Sequence, residues 1–250
     1  MSRIQTDGII WDIDGTLWDA TGTIAPAWTE TLRSVNAERT AAGLSAIRIH
    51  HPEGGGTGSR ITAEDLRREF GKPLEDILHD LLPDLPMEEA GPVLDRWCAV
   101  EAAAIADNPP KPFEGTREVL KKLQAMQIPS FIVSNCQAGY IETFMRATHT
   151  EPYITDHLCP GDTALLKADN IQMIIRKHHL RHACYVGDIQ ADCDAVRKAG
   201  KSLGQDADIA FIWASYGYGH AEHPDAVLRR ITDLTDVIRP VIKNIPEGGN

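Results

Sequence analysis

The chain has 250 residues, 42% hydrophobic and 24% charged, with a formal net charge of −11. That profile excludes a disordered or collagenous chain and leaves room for one large α/β domain, or for a core carrying a smaller inserted one. The acidic balance argues against nucleic acid and anionic membrane as partners, while an anionic substrate stays open. The N-terminus MSRIQTDGIIWD reaches acidic residues before a signal-peptide hydrophobic region can develop, and no run of about 18 apolar residues follows, so a soluble cytoplasmic protein is expected. The five cysteines are scattered and form no C-x-x-C pair, which fits reduced thiols.

The first predicted strand, Gly8 to Trp11, runs directly into two carboxylates, Asp12 and Asp14. An ionised carboxylate taken out of water costs several kcal/mol or more unless a cation or donors compensate it, so a partner is required. From about residue 20 to 107 the pattern is helical, with no convincing strand. Ile24, Trp28, Leu32 and Val35 follow the helical period. Thr62-Ala-Glu-Asp65 opens a helix carrying Leu66 and Phe70 and closing at Gly71. Further helices are predicted over 74–82 and 88–105, the latter before the breaker Asn108-Pro-Pro110.

Beyond residue 108, strands at 130–133, 183–186, 209–214 and, more weakly, 226–228 alternate with helices at 115–126, 168–180 and 190–198, the last stopped by Gly200. Strand–helix alternation predicts a mostly parallel sheet in an α/β, Rossmann-like three-layer core. The expected organisation is a core of residues 1–18 and 108–250, with residues 19–107 as an inserted, all-helical cap domain hinged near its two ends.

A parallel sheet collects functional groups at the carboxyl ends of its strands. Asp12 and Asp14 follow the first strand, Ser134 and Asn135 the second, and Gly187-Asp188 the next long one, with Asp192 one helical turn on. Four carboxylates so placed would repel one another, which stability does not explain. A hard divalent cation does, and Mg²⁺, which prefers oxygen ligands and is commonly shared with phosphate, fits best.

D-x-D-G-T at 12–16, an apolar strand ending in Ser134, Lys167 and G-D-x-x-x-D at 187–192 together resemble the four ordered motifs of the haloacid dehalogenase superfamily. The helical stretch between the first two motifs resembles that superfamily's cap, and the nearest general likeness is to phosphoglycolate phosphatase-like members. The resemblance implies a Mg²⁺-dependent phosphatase of small phosphorylated metabolites, as a monomer or homodimer. It implies Asp12 as nucleophile and Asp14 as general acid and base. The metal would be held by Asp12, the backbone carbonyl of Asp14, Asp188 and, through water, Asp192. Ser134, the backbone N–H of Asn135, and the Gly15-Thr16 turn would serve the phosphate, with Lys167 neutralising its charge. Relatives often carry Lys-Pro where this chain has Lys167-Ala168, so Lys177 and Lys111 stand as alternatives. Dehalogenases lack the second aspartate of the first motif, so Asp14 favours phosphoryl transfer; a phosphomutase or a non-catalytic phosphate-binding module are the competing readings.

Two loops are weaker candidates for the site: His51 to Ser59, with Thr57, Ser59 or Arg60 reaching substrate, and Ser215 to His220. Lys177-His-His-Leu-Arg-His182 reads as a solvated helix end, because adjacent helical residues point about 100° apart. Lys72, between Gly71 and Pro73, reads as a helix-end residue.

Overall fold

The computed structural model describes residues 3–51 and 56–241. Its centre is a six-stranded, all-parallel sheet in the order β6-β5-β2-β7-β8-β9. The strands are β2 (Gly8–Trp11), β5 (Ser130–Val133), β6 (Ile154–Leu158), β7 (His182–Gly187), β8 (Asp208–Ala214) and β9 (Ala226–Leu228). A short parallel pair, β1 (Ile4–Thr6) with β10 (Ile238–Pro240), lies outside it. Each predicted strand is present, and β6 was not foreseen.

Alternation across the pleat sorts the core into two apolar layers. Trp11, Ile132, Val186 and Ile212 pack on one face with α5 (Thr116–Ala125) and α6 (Tyr140–Thr148). Ile10, Phe131, Tyr185 and Phe211 pack on the other with α8 (Lys167–Lys177) and α9 (Gln190–Leu203). A four-residue α7 (Pro160–Thr163) precedes α8, and a four-residue α10 (Leu234–Val237) precedes β10. The predicted stop of α9 at Gly200 is corrected: the helix continues to Leu203. Gly200 serves packing instead, since a Cβ there would lie 3.2 Å from Ile209.

Between β2 and β5 the chain builds α1 (Thr21–Ala41), α2 (Ala63–Glu69), α3 (Leu74–Leu81) and α4 (Met87–Asp107). A two-residue hairpin, β3 (Ile49–His50) with β4 (Thr57–Gly58), departs from the all-helical expectation for this stretch. The predicted Thr62 start carries a full capping box with Asp65. α1 and α4 meet through Trp28 and Trp97, whose rings stack at 4.2 Å and 2°. The two crossings to the sheet lie side by side, because the Phe113 N–H donates to the Leu17 carbonyl and the Thr23 hydroxyl to the Asn108 carbonyl. Among the described residues, no helix is long and apolar enough to cross a membrane.

Candidate active site

The strand order places β2 between β5, the next sheet strand in the chain, and β7, so the chain reverses direction across the sheet at β2. The crevice at its carboxyl end is the natural binding position in such folds. Asp12 still belongs to the ladder, its N–H donating to the Val186 carbonyl at 2.9 Å. The chain then turns sharply: the Ile13 carbonyl accepts from the N–H groups of Thr16, Leu17 and Trp18. Gly15 makes this turn possible with φ of +79°, and a Cβ there would sit 2.1 Å from an oxygen of Asp188.

Carboxylate oxygens of Asp12, Asp188 and Asp192 lie within 4.8 Å of one another, all buried. Lys167, at the start of α8, reaches Asp12 at 2.9 Å and Asp192 at 2.7 Å. Lys177 pairs instead with Asp156, outside this cluster, and among the described residues the ammonium paired with these carboxyls is that of Lys167, not Lys111. One ammonium among three carboxyls leaves an excess of negative charge in a dry place. Burial pushes Asp12 up to about 6 despite Lys167, and burial with Asp192 and Asp12 pushes Asp188 up to about 8. Burial disfavours the Lys167 charge, yet Asp12 and Asp192 outweigh it and hold the ammonium well above its usual value. A hard cation fits this all-oxygen donor set.

Asp192 is tied on both sides. One oxygen faces Lys167 and the other accepts from the backbone N–H of Asp188 at 3.1 Å. Asp188 in turn accepts from the Tyr218 N–H at 2.7 Å, so the Ser215 to His220 loop braces the cluster.

Asp14 turns away from the three carboxyls. One of its oxygens accepts from the Tyr140 hydroxyl at 2.9 Å and from the Trp18 indole at 3.0 Å. Burial, then the charge of Asp12, still raises its pKa well above the usual range. Two carboxyls two residues apart thus face different partners, the arrangement that separates an attacking group from a proton carrier.

The sequence profile of the haloacid dehalogenase-like hydrolases matches residues 6–200. The chain belongs to this hydrolase family. No functionally curated protein matches it. Among solved structures it is similar to a predicted phosphoglycolate phosphatase from Haemophilus somnus, at 17% identity and a TM-score of 0.73, over 95% of this chain and 99% of that one. It is also similar to a haloacid dehalogenase-like family protein from Streptococcus pneumoniae (19%, TM-score 0.69, 94% and 99%) and a predicted phosphatase from Clostridium acetobutylicum (15%, 0.67, 93% and 97%).

In this family member a cavity opens beside Asp12 and Asp14 and is closed over by the α1–α4 segment. Ser134, Asn135 and Tyr140 line it from the sheet side, and Trp28, Phe70 and Glu101 from the other. The Ser134 hydroxyl favours the ionised form of Asp12. The Asn135 amide donates to the Gly71 carbonyl at 2.8 Å, joining the loop after β5 to the end of α2. Gly15 and Thr16 shape the turn without lining the cavity; the Thr16 carbonyl accepts from the Tyr216 hydroxyl. Thr57, Ser59 and Arg60 do not reach it either, and Pro52 to Gly55 of that loop lie outside the described residues.

Lys72 does line the cavity, which its reading as a helix-end residue left out. Burial opposes its charge, but hydrogen bonds to Asp80 and Glu69 win and keep it protonated, a poor nucleophile. Sequence reasoning also missed Tyr140 and Glu101. For Glu101 a signal was present: Val93, Trp97, Glu101 and Ile105 recur every fourth residue along the buried stripe of α4. Burial pushes the Glu101 carboxyl up to about 8. Cys136 shares the wall, with burial raising its thiol well above the usual value, so it is not a nucleophile at neutral pH.

Proposed function

We propose that the protein is a Mg²⁺-dependent phosphatase that hydrolyses phosphomonoesters of small metabolites through an aspartyl-phosphate at Asp12. The observation carrying this reading is the position of Asp12: buried at the switch point, paired with Lys167 and grouped with Asp188 and Asp192. An Asp12 oxygen attacks phosphorus as the bond to the leaving oxygen breaks, and Asp14 delivers a proton to that oxygen. Water then attacks the phosphoryl group, Asp14 takes the proton, and the Asp12 carboxylate is restored. Burial raises the Asp14 pKa well above the usual carboxylate range, which favours the protonated form that a general acid needs, and Tyr140 and Trp18 fix its direction.

Lys167 and Ser134 neutralise and hold the phosphoryl oxygens, with the Asn135 backbone N–H. Asp12, Asp188 and the Asp14 carbonyl are the groups to hold Mg²⁺, with Asp192 positioning Asp188. The ion would neutralise charge between the Asp12 carboxylate and the phosphoryl group.

Residues 19–107 act as the cap. The cavity has a water-accessible volume of about 30 Å³, room for roughly two waters at most, so an ester enters only after the α1–α4 segment swings away on its adjacent hinges. A panel of phosphomonoesters with and without Mg²⁺ tests the function. Phosphate release that needs the ion and is lost in Asp12→Asn supports it; no release from any ester refutes it.

A further inference from the structure

A carboxyl that gives up a proton and later recovers it has two oxygens, and a defined direction requires that one of them be occupied. In Asp14 the occupied atom is Oδ1, which accepts from the Tyr140 hydroxyl at 2.9 Å and from the Trp18 indole at 3.0 Å. Two donors use both lone pairs of a carboxyl oxygen. Oδ2 meets no donor among the described residues and stays accessible, and Asp14 lines the cavity. Both donors are firmly held. Trp18 is fully buried, its carbonyl accepts from the Gly15 N–H at 2.9 Å, and its ring meets those of Tyr140 and Phe144 edge-on at 5.9 and 5.0 Å. Tyr140 opens α6 and is 5% exposed, on the buried stripe that continues through Ile141, Phe144 and Met145. A phenylalanine would fill that stripe and meet Trp18 equally well, so the hydroxyl is the part of Tyr140 that packing does not require.

Resting on the phosphatase reading above, we infer that Tyr140 is a positioning residue that confines the transferable proton to Oδ2 of Asp14. It thereby fits the enzyme to esters of unactivated alcohols, whose oxygen leaves poorly without a proton. As the bond from phosphorus to the ester oxygen breaks and the bond to Asp12 forms, the Oδ2 proton passes to the leaving oxygen and an alcohol departs. As a water oxygen then bonds to phosphorus and the Asp12 bond breaks, a proton of that water returns to Oδ2. A carboxyl that carried its proton on Oδ1 would point it at the indole, which is a donor and cannot accept it. With the hydroxyl removed, the indole alone opposes that turn, and the protonated oxygen faces the ester for part of the time. A phenol made acidic by a nitro group leaves as its anion and makes little use of the proton.

Benzyl phosphate and 4-nitrophenyl phosphate carry rings of similar bulk, and they release an alcohol that needs the proton and a phenolate that does not. In Tyr140→Phe holoenzyme with Mg²⁺, the ratio of kcat/KM for the benzyl ester to that for the nitrophenyl ester should fall about tenfold from its value in the unaltered enzyme. A merely structural role lowers both esters together, so an unchanged ratio overturns the inference. Tyr140→Phe added to Asp14→Asn should cost the benzyl ester less than about twofold further, because no carboxyl proton remains to direct. A further loss as large as in the Asp14 parent also overturns it. Should Tyr140→Phe melt far below the parent, Trp18→Phe removes the other donor and keeps a ring in place; it must lower the same ratio, and failure to do so counts equally against the inference. With robust Mg²⁺-dependent release from both esters, an unmoved ratio sinks the role of Tyr140 alone. No release from any ester by the unaltered protein sinks the phosphatase reading, and the positioning role with it.

Discussion

The two walls of the cavity are built by different rules. On the sheet side, charged groups crowd together behind the cavity wall: Asp12 and Asp188 directly follow strands, Asp192 and Lys167 stand in the first turns of α9 and α8, and backbone N–H groups hold Asp188 and Asp192 while Lys167 bridges Asp12 and Asp192. On the α1–α4 side, aromatic and aliphatic side chains surround one buried carboxyl, Glu101. The first arrangement stores repulsion that a cation would relieve, and under the proposed reading it makes no reference to what the phosphate is attached to. The second makes no provision for phosphorus. Under the proposed reading, reaction belongs to one wall and enclosure of the leaving group to the other, so each should be open to perturbation without the other.

The largest effect separates them most cleanly. Asp12→Asn should lower phosphate release by about 10³-fold or more for every ester, with a melting temperature close to the parent's, as read by single-turnover assays and calorimetry. Gly15→Ala should come next. It forces a side chain into a left-handed turn and against Asp188, so Mg²⁺ affinity and turnover should both drop, by about 10²-fold in kcat/KM, measured by metal titration.

Asp188 gives a test by pH. Its folded-state pKa near 8 lies above the ordinary 3.8, so the metal-free native protein keeps a proton that the unfolded chain has released. Stability from this group is therefore present at low pH and lost as pH rises from about 4 through about 8. Mg²⁺ replaces that proton, so the rise in melting temperature on adding the ion to EDTA-treated protein should be larger at pH 8 than at pH 6. In Asp188→Asn the rise should largely vanish.

The smallest effect belongs to the other wall. Glu101 is also raised, from 4.5 to about 8, so it too weakens the fold as pH climbs through that window, at on the order of 1 kcal/mol per pH unit. Glu101→Gln should flatten the fall in stability between pH 6 and 8 seen by denaturant melts, while 4-nitrophenyl phosphate keeps its turnover within about threefold. A loss for that ester as large as that in Asp12→Asn would erase the division between the walls.

The sheet side was legible because its residues are local. A carboxylate directly after an apolar strand is anomalous wherever the strand packs, and β2, β5 and β7 are apolar enough to be found. Lys167 followed from the family resemblance, whose motif order expects a lysine just before a helix about twenty residues ahead of Asp188. The strand β6 escaped notice because ITDHL puts Asp156 and His157 on an edge, where one side of the ladder needs no apolar cover. Helix α6 was legible and passed over: Tyr140, Ile141, Phe144, Met145 and Thr148 mark a helical face. Of the two partners of Asp14, Trp18 is four residues away, but Tyr140 was not legible, since it lies 126 residues away and meets Asp14 where α6 packs against Trp18.

The hydrogen bond from Asn135 to the Gly71 carbonyl has a consequence for timing. Gly71 adopts φ of +100° and lies so near Ile189 that a Cβ would come within 2.2 Å, so this end of α2 docks only with a bare backbone. Under the proposed reading, Asn135 offers its main chain to the phosphoryl group and its side chain to the docked backbone. One residue then registers both occupancy and enclosure, and a ligand that settles the first biases the second. The bond is worth about 1 kcal/mol, which is enough to tilt the balance and too little to trap the product. Arrival and departure become correlated through a single amide, without any relay across the molecule.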